Sequence, residues 1–283
     1  MEDTRAYEIE QRGQVATVKL FPLREVAEIE AADDIHWALA EALEKLRWDD
    51  SVRVIVLTGK KDGEFLVTPP VEHYGSPAQK RRMRAMRGGF STSQGVTRTH
   101  QALAYMEKPV VARLNGDAIG FGQSVMFGCD LIVAREDAII SDVHLGMGTV
   151  TRSDDGTAVG TPYGLVPGDG VLAWLPALMP PQKAKEYIML SRSLTAKEMA
   201  EMDIINYALP MNEIDAKTNE IVEELLARPA NALAMTKRLL NRHLVEQMNQ
   251  SLDLSAAYET LNFFELSRAK WKDSFRLTSG DEE

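Results

Sequence analysis

Lys108-Pro109-Val110-Val111-Ala112-Arg113-Leu114-Asn115-Gly116, then Gly120-Phe121-Gly122-Gln123-Ser124, then Cys129-Asp130-Leu131-Ile132-Val133-Ala134 decide how this chain is read. The order is a short buried strand, a glycine-interrupted turn into a helix, and a second buried strand. Such an arrangement presents main-chain N–H groups at a helix N-terminus, where they can hold negative charge developing on a carbonyl oxygen. In a dry site each fixed donor lowers the barrier of such a reaction by roughly 3–4 kcal/mol.

Working outward, residues 52–59 read as a strand buried on both faces. Residues 7–12 and 15–21, separated by Gly13-Gln14, read as a hairpin. Between them residues 31–48 place Ile35, Ala38, Leu39, Ala42, Leu43 and Leu46 at helical spacing. Alternation of strand, helix and strand makes the class α/β. From Pro181 onward strand signals fade, and residues 182–190, 196–202, 212–227, 231–246 and 252–270 read as successive helices. The chain is therefore divided into an α/β core, 1–180, and a helical carboxy-terminal region, 181–283. Residues 146–164, rich in glycine, threonine and aspartate, read as a long loop and are expected to act as a lid.

The 283 residues, 45% of them hydrophobic, can fill a substantial core. Lys+Arg 32 against Asp+Glu 42 gives a net charge of −10, which disfavours a nucleic-acid backbone or an anionic membrane as main partner. Met1-Glu2-Asp3-Thr4-Arg5 is no secretory signal, and no apolar run approaches the roughly 20 residues that span a bilayer. A cytoplasmic location is the expectation. The single cysteine, Cys129, excludes an internal disulfide and reads as core filling. The basic run 80–87 reads either as a solvated helix face or as a clamp for a phosphorylated cofactor tail.

Residues 52–59, 108–116, 120–122, 129–134 and 164–170, in that order, resemble the crotonase, or enoyl-CoA hydratase/isomerase, superfamily. The resemblance implies a core of repeated ββα units and a helical carboxy-terminal part that assembles a homotrimer or a dimer of trimers. It implies a small-molecule substrate, an acyl-CoA thioester whose carbonyl lies between two main-chain N–H groups. Coenzyme A would then belong to the substrate, with no tightly bound cofactor. Carried over by position, the donors are the N–H groups of Val67 and Phe121, although the family usually has alanine-glycine at the first place and glycine at the second. Gly120, Gly122, Ser124 and Gly168 fall at substrate-facing positions. The two glutamates that handle water in the hydratases correspond to Ser124 and His144, which leaves His144 as the principal acid/base.

The loop Gly164-Leu165-Val166-Pro167-Gly168-Asp169-Gly170 resembles the β-diketone hydrolases of the same superfamily. In that branch a histidine and an aspartate act together, and His144 and Asp169 match them; Glu259 matches a late glutamate. Three readings stand: an enoyl-CoA hydratase/isomerase-like enzyme first, a C–C bond hydrolase of a cyclic diketone second, and a non-catalytic scaffold third. His36, His73, His100 and His243 read as structural or solvent-exposed. No histidine pair has metal-ligand spacing, and Asp154-Asp155-Gly156 lacks the full calcium-loop pattern, so no metal is expected. Gly120-Phe121-Gly122 lacks the remaining residues of a dinucleotide fingerprint.

Overall fold

Valine, isoleucine and leucine make up the first four residues of Val54–Gly59 (β3), and all six residues are buried, as a strand covered on both faces requires. In the computed structural model, residues 6–22, 35–68, 89–142, 144–145, 151–152, 158–159 and 164–278 are described, and side chains are not described at 89–92, 151–152, 158–159 or 263–278. Tyr7–Arg12 (β1) and Val15–Leu20 (β2) form the expected antiparallel hairpin, and β2 runs parallel to β3. Val110–Leu114 (β5), Leu131–Arg135 (β7) and Tyr207–Leu209 (β12) extend the sheet in parallel, in the order β1-β2-β3-β5-β7-β12.

Side-chain alternation along these strands sorts the core into two layers. Ile55, Leu57, Val110, Ala112, Leu114, Ile132 and Ala134 belong to the main cluster. Val54, Val56, Val111 and Val133 point the other way and are covered by Ile214, Ile221 and Val222 of the helix Ile214–Leu226.

Each central strand hands the chain to a second sheet. Gly63–Val67 (β4) follows β3, Gly116–Ile119 (β6) follows β5, and Ile139–Ser141 (β8) follows β7. With Ser193–Thr195 (β11) they form the order β11-β8-β6-β4. Buried Asn115 fixes one crossing: its Oδ1 accepts from Gly59 N–H at 3.0 Å, and its Nδ2 donates to Lys61 C=O at 2.7 Å. The helices Ile35–Arg47 (α1), Gly89–Tyr105 (α2) and Phe121–Phe127 (α3) follow successive strand pairs, so the architecture is the repeated ββα unit. The strand β6 is an addition to the sequence reading, which ran from β5 directly into the turn.

The division at 180 also shifts. Beyond it, β11 and β12 each complete a sheet and the helix Ile214–Leu226 covers one, so residues 193–226 are core. Both strands are three residues long, too short to show a period. In chain order the remaining elements are a ribbon of Thr151–Arg152 (β9) and Ala158–Val159 (β10), then Val171–Leu178 (α4), Pro181–Met189 (α5), Ala196–Glu201 (α6), Ile214–Leu226 (α7), Ala230–Leu240 (α8) and Arg242–Thr278 (α9). A break expected between 246 and 252 falls instead at Asn241, because 242–278 contains neither glycine nor proline. Apart from β9 and β10 and Gly164, the expected lid, 146–164, lies outside the described residues, as does the basic run 80–87.

Candidate active site

The strand β8 ends at Ser141, and the next turn carries Asp142 and His144 into the interior, where both are buried. The Asp142 carboxylate accepts the His144 main-chain N–H at 2.9 Å and lies 3.2 and 3.3 Å from Nδ1 of the ring. A side chain that caps the turn thus also grips the imidazole above it. Gln123 of α3 donates from Nε2 to Asp142 Oδ2 at 3.1 Å, and Tyr187 of α5 donates its hydroxyl to Gln123 Oε1 at 2.6 Å. All four groups are buried, and burial holds the Tyr187 phenol well above its ordinary pKa. The row Tyr187, Gln123, Asp142, His144 therefore sets the ring from behind.

The opposite nitrogen faces two more carboxylates. His144 Nε2 is 3.3 Å from Asp169 Oδ2 and 3.4 Å from Glu259 Oε1. Asp169 arrives on the 164–170 loop, which meets His144 again where Leu165 N–H donates to His144 C=O at 2.8 Å. Its main chain is held by His100 Nε2, 2.7 Å from the Asp169 C=O. Trp174 Nε1–H donates to His100 Nδ1 at 2.9 Å, so the His100 proton resides on Nε2. Burial pushes His100 down to about 4, in keeping with a neutral ring. The structural reading of His100 is thereby given a definite task.

Glu259 comes from α9. One turn later Asn262 Oδ1 accepts Val166 N–H at 3.1 Å, which clamps that helix to the loop. Gly168 makes room: a Cβ there would stand 2.0 Å from Glu259 Oε2. Gly168 thus serves the site through the absence of a side chain.

Charge follows from this packing. Burial opposes a charged His144, but the Asp142 and Asp169 carboxylates outweigh it and hold its pKa well above the ordinary value. Burial likewise opposes ionised Asp169, yet His144 draws its pKa below the ordinary range. For Glu259 burial prevails over the pull of His144, and the pKa is raised. His36 of α1, read in sequence as structural or solvent-exposed, lies 4.3 Å ring to ring from Phe121 and adds positive influence on both carboxylates.

Of the two expected amides, that of Phe121 has a partner within the protein. Phe121 N–H donates to Thr68 Oγ1 at 3.2 Å, and that hydroxyl donates on to Ile119 C=O at 3.2 Å. The amide assigned to an oxyanion is thus engaged by a side chain one residue beyond β4. Thr68 N–H donates to Ile119 C=O, so Val67, one position back along the strand, directs its own amide away from β6. Gly120 N–H donates to Ser141 C=O at 3.0 Å, and Gly122 lets α3 touch the Leu66 carbonyl, where a Cβ would come within 1.9 Å. Ser124 is buried with its hydroxyl on Gly120 C=O at 3.3 Å, so it is turned back onto its own helix. The structure brings together His144, Asp169, Glu259 and Gly168, and seats Gly120, Gly122 and Ser124 in packing roles. Asp142, Gln123 and Tyr187 escaped the sequence reading; the only signal for Asp142 was its i−2 spacing from a histidine at a strand end.

A family model described as enoyl-CoA hydratase/isomerase matches residues 30–270. The chain is 24% identical over 218 residues to a putative enoyl-CoA hydratase/isomerase, YngF, of Bacillus subtilis, covering 77% of this chain and 75% of the relative. It is 23% identical to a short-chain-enoyl-CoA hydratase of Clostridium acetobutylicum, covering 77% and 73%. Among solved structures, a β-diketone hydrolase from the cyanobacterium Anabaena bound to (S)-3-oxocyclohexyl acetic acid superposes with TM-score 0.75 at 20% identity, covering 94% of this chain and 99% of that one. An enoyl-CoA hydratase/isomerase from Mycobacterium paratuberculosis superposes with TM-score 0.73 at 23% identity, covering 92% and 94%. Those two likenesses establish the fold. With the family model covering most of its length, the chain belongs to the enoyl-CoA hydratase/isomerase, or crotonase, family.

Proposed function

We propose that this member of the family hydrolyses the carbon–carbon bond between the two carbonyls of a small cyclic β-diketone. One observation carries the reading: an imidazole gripped at Nδ1 by Asp142 faces Asp169 and Glu259 at Nε2, whereas the Phe121 amide is engaged by Thr68. Reaction at a thioester leans on two free amides, of which the Phe121 amide is occupied here; reaction in this site can lean on side chains that carry protons.

In this proposal Glu259, whose raised pKa makes it the more basic carboxylate, takes a proton from water as the oxygen bonds to one carbonyl carbon. The bond from that carbon to the central carbon breaks, and its electron pair becomes the enolate of the second ketone. Imidazolium His144 stabilises that charge and then gives its proton to the central carbon. The proton on Glu259 passes back to Nε2, 3.4 Å away, and a keto carboxylic acid leaves. Asp169 stays ionised and holds the imidazolium. His144 thus works as the proton donor, the acid half of the acid/base role read in sequence.

Assay of the purified chain on a panel of cyclic β-diketones should show keto-acid formation, and His144→Ala should reduce kcat by about 10²–10⁴-fold. Inert diketones together with hydration of an enoyl-CoA thioester would overturn the proposal in favour of the reading placed first in the sequence, an acyl-CoA hydratase/isomerase. The family match supports that alternative, in which coenzyme A is part of the substrate. We further propose a homotrimer or a dimer of trimers. Met235, Leu239 and Leu240 of α8 and Leu254 and Leu261 of α9 are all exposed, more large apolar side chains than a helix pair leaves in water without cause. Light scattering of the eluting protein should give three or six chains; a monomer would refute this.

A further inference from the structure

Three carboxyl groups, those of Asp142, Asp169 and Glu259, stand against one imidazole. His36 faces the same group from α1 and adds only a weaker positive influence. The spacing of the donor atoms has a second meaning. A tetrahedral ion held about 2.0–2.1 Å from nitrogen and 2.0–2.2 Å from oxygen sets those atoms about 3.3–3.5 Å apart. His144 Nε2 lies 3.3 Å from Asp169 Oδ2 and 3.4 Å from Glu259 Oε1, and the three donor atoms all lie within 4.8 Å of one another. Three protein ligands leave one position of a tetrahedron open.

The outer shell fits as well. A histidine that binds metal through one nitrogen usually gives its other N–H to a carboxylate, which fixes the tautomer and raises ligand basicity. Asp142 stands at Nδ1 of His144 in that position, and Gln123 holds Asp142 in turn. Glu259 is the most exposed of the three ligands, at 23% against 6% and 10%.

We propose that His144 Nε2, Asp169 and Glu259 form a binding site for one divalent cation of the zinc class, and that its occupancy leaves no imidazole free to move a proton. The ligands come from positions 144, 169 and 259, so no local spacing in the sequence announces them.

Calorimetric titration of the metal-free full chain with Zn²⁺ tests the site, with Co²⁺ as a spectroscopic probe of coordination. One ion per chain is expected, with the intense visible absorption of low-coordinate Co²⁺. His144→Ala should abolish binding, Glu259→Gln should weaken it at least tenfold, and Asp142→Asn should weaken it about 10–100-fold. His243→Ala, at an exposed histidine beside Glu246, should bind as the parent does. Glu259→Gln changes one atom at a partly exposed site, so it reports even if His144→Ala fails to fold. No binding, binding unaltered by Glu259→Gln, or only pale octahedral Co²⁺ would overturn the proposal. The titration involves no substrate, so its failure would leave the hydrolase reading standing, and inert diketones would leave the metal site standing.

Discussion

Asp142 is the residue that sets the His144 ring. It is tied to His144 at the main chain and at Nδ1, so its charge both aims the ring and holds its proton. If the imidazolium is the working form, activity persists up to the raised pKa of His144 and declines as pH rises through it. Removing the Asp142 charge lowers that pKa. Asp142→Asn should therefore move the alkaline limb of the kcat profile down by about one to three pH units, with the acidic limb little changed. An unmoved alkaline limb would mean that Asp142 only shapes the turn. Near this residue the sequence was least informative: an aspartate two positions before a histidine is common, and only tertiary packing brings Gln123 and Tyr187 behind it.

At the scale of elements, the loop 164–170 and the helix α9 make the site jointly. Gly168 faces Glu259 so closely that a methyl group cannot enter without moving the carboxylate. Gly168→Ala should cut turnover at least tenfold while the thermal midpoint changes little; a parent-like kcat would show that Glu259 can relocate at no cost. The strands of the ββα units were legible because β3, β5 and β7 are near-continuous apolar runs, and the hairpin because its period is two. The strand β6 was hidden inside a glycine-containing turn. Thr68 was hidden too, since nothing in Val67-Thr68 foretells that its hydroxyl reaches across to the Phe121 amide.

Across the whole molecule, the carboxy-terminal helices are fastened to the core by a buried ion pair. Lys237 Nζ of α8 lies 2.6 Å from Asp130 Oδ2 and donates to Lys108 C=O at 2.8 Å, while Asp130 also accepts Val110 N–H at 2.7 Å. Lys237 is buried and Asp130 is 20% exposed at its side chain. Lys237→Met should cost up to about 3 kcal/mol in urea unfolding at fixed protein concentration, because it strands Asp130. An unaltered midpoint would show that water or a neighbour replaces the amine. The motif Cys129-Asp130 drew notice in the sequence as part of a strand signal; its partner, 107 positions away, was beyond any local pattern. The separation of His144 from Glu259 along the chain also sets the order of events during synthesis. The core strands and the histidine turn leave the ribosome long before Glu259, so a growing chain carries His144 without that neighbour. The cluster of His144, Asp169 and Glu259 closes only once the long helix α9 has been laid down.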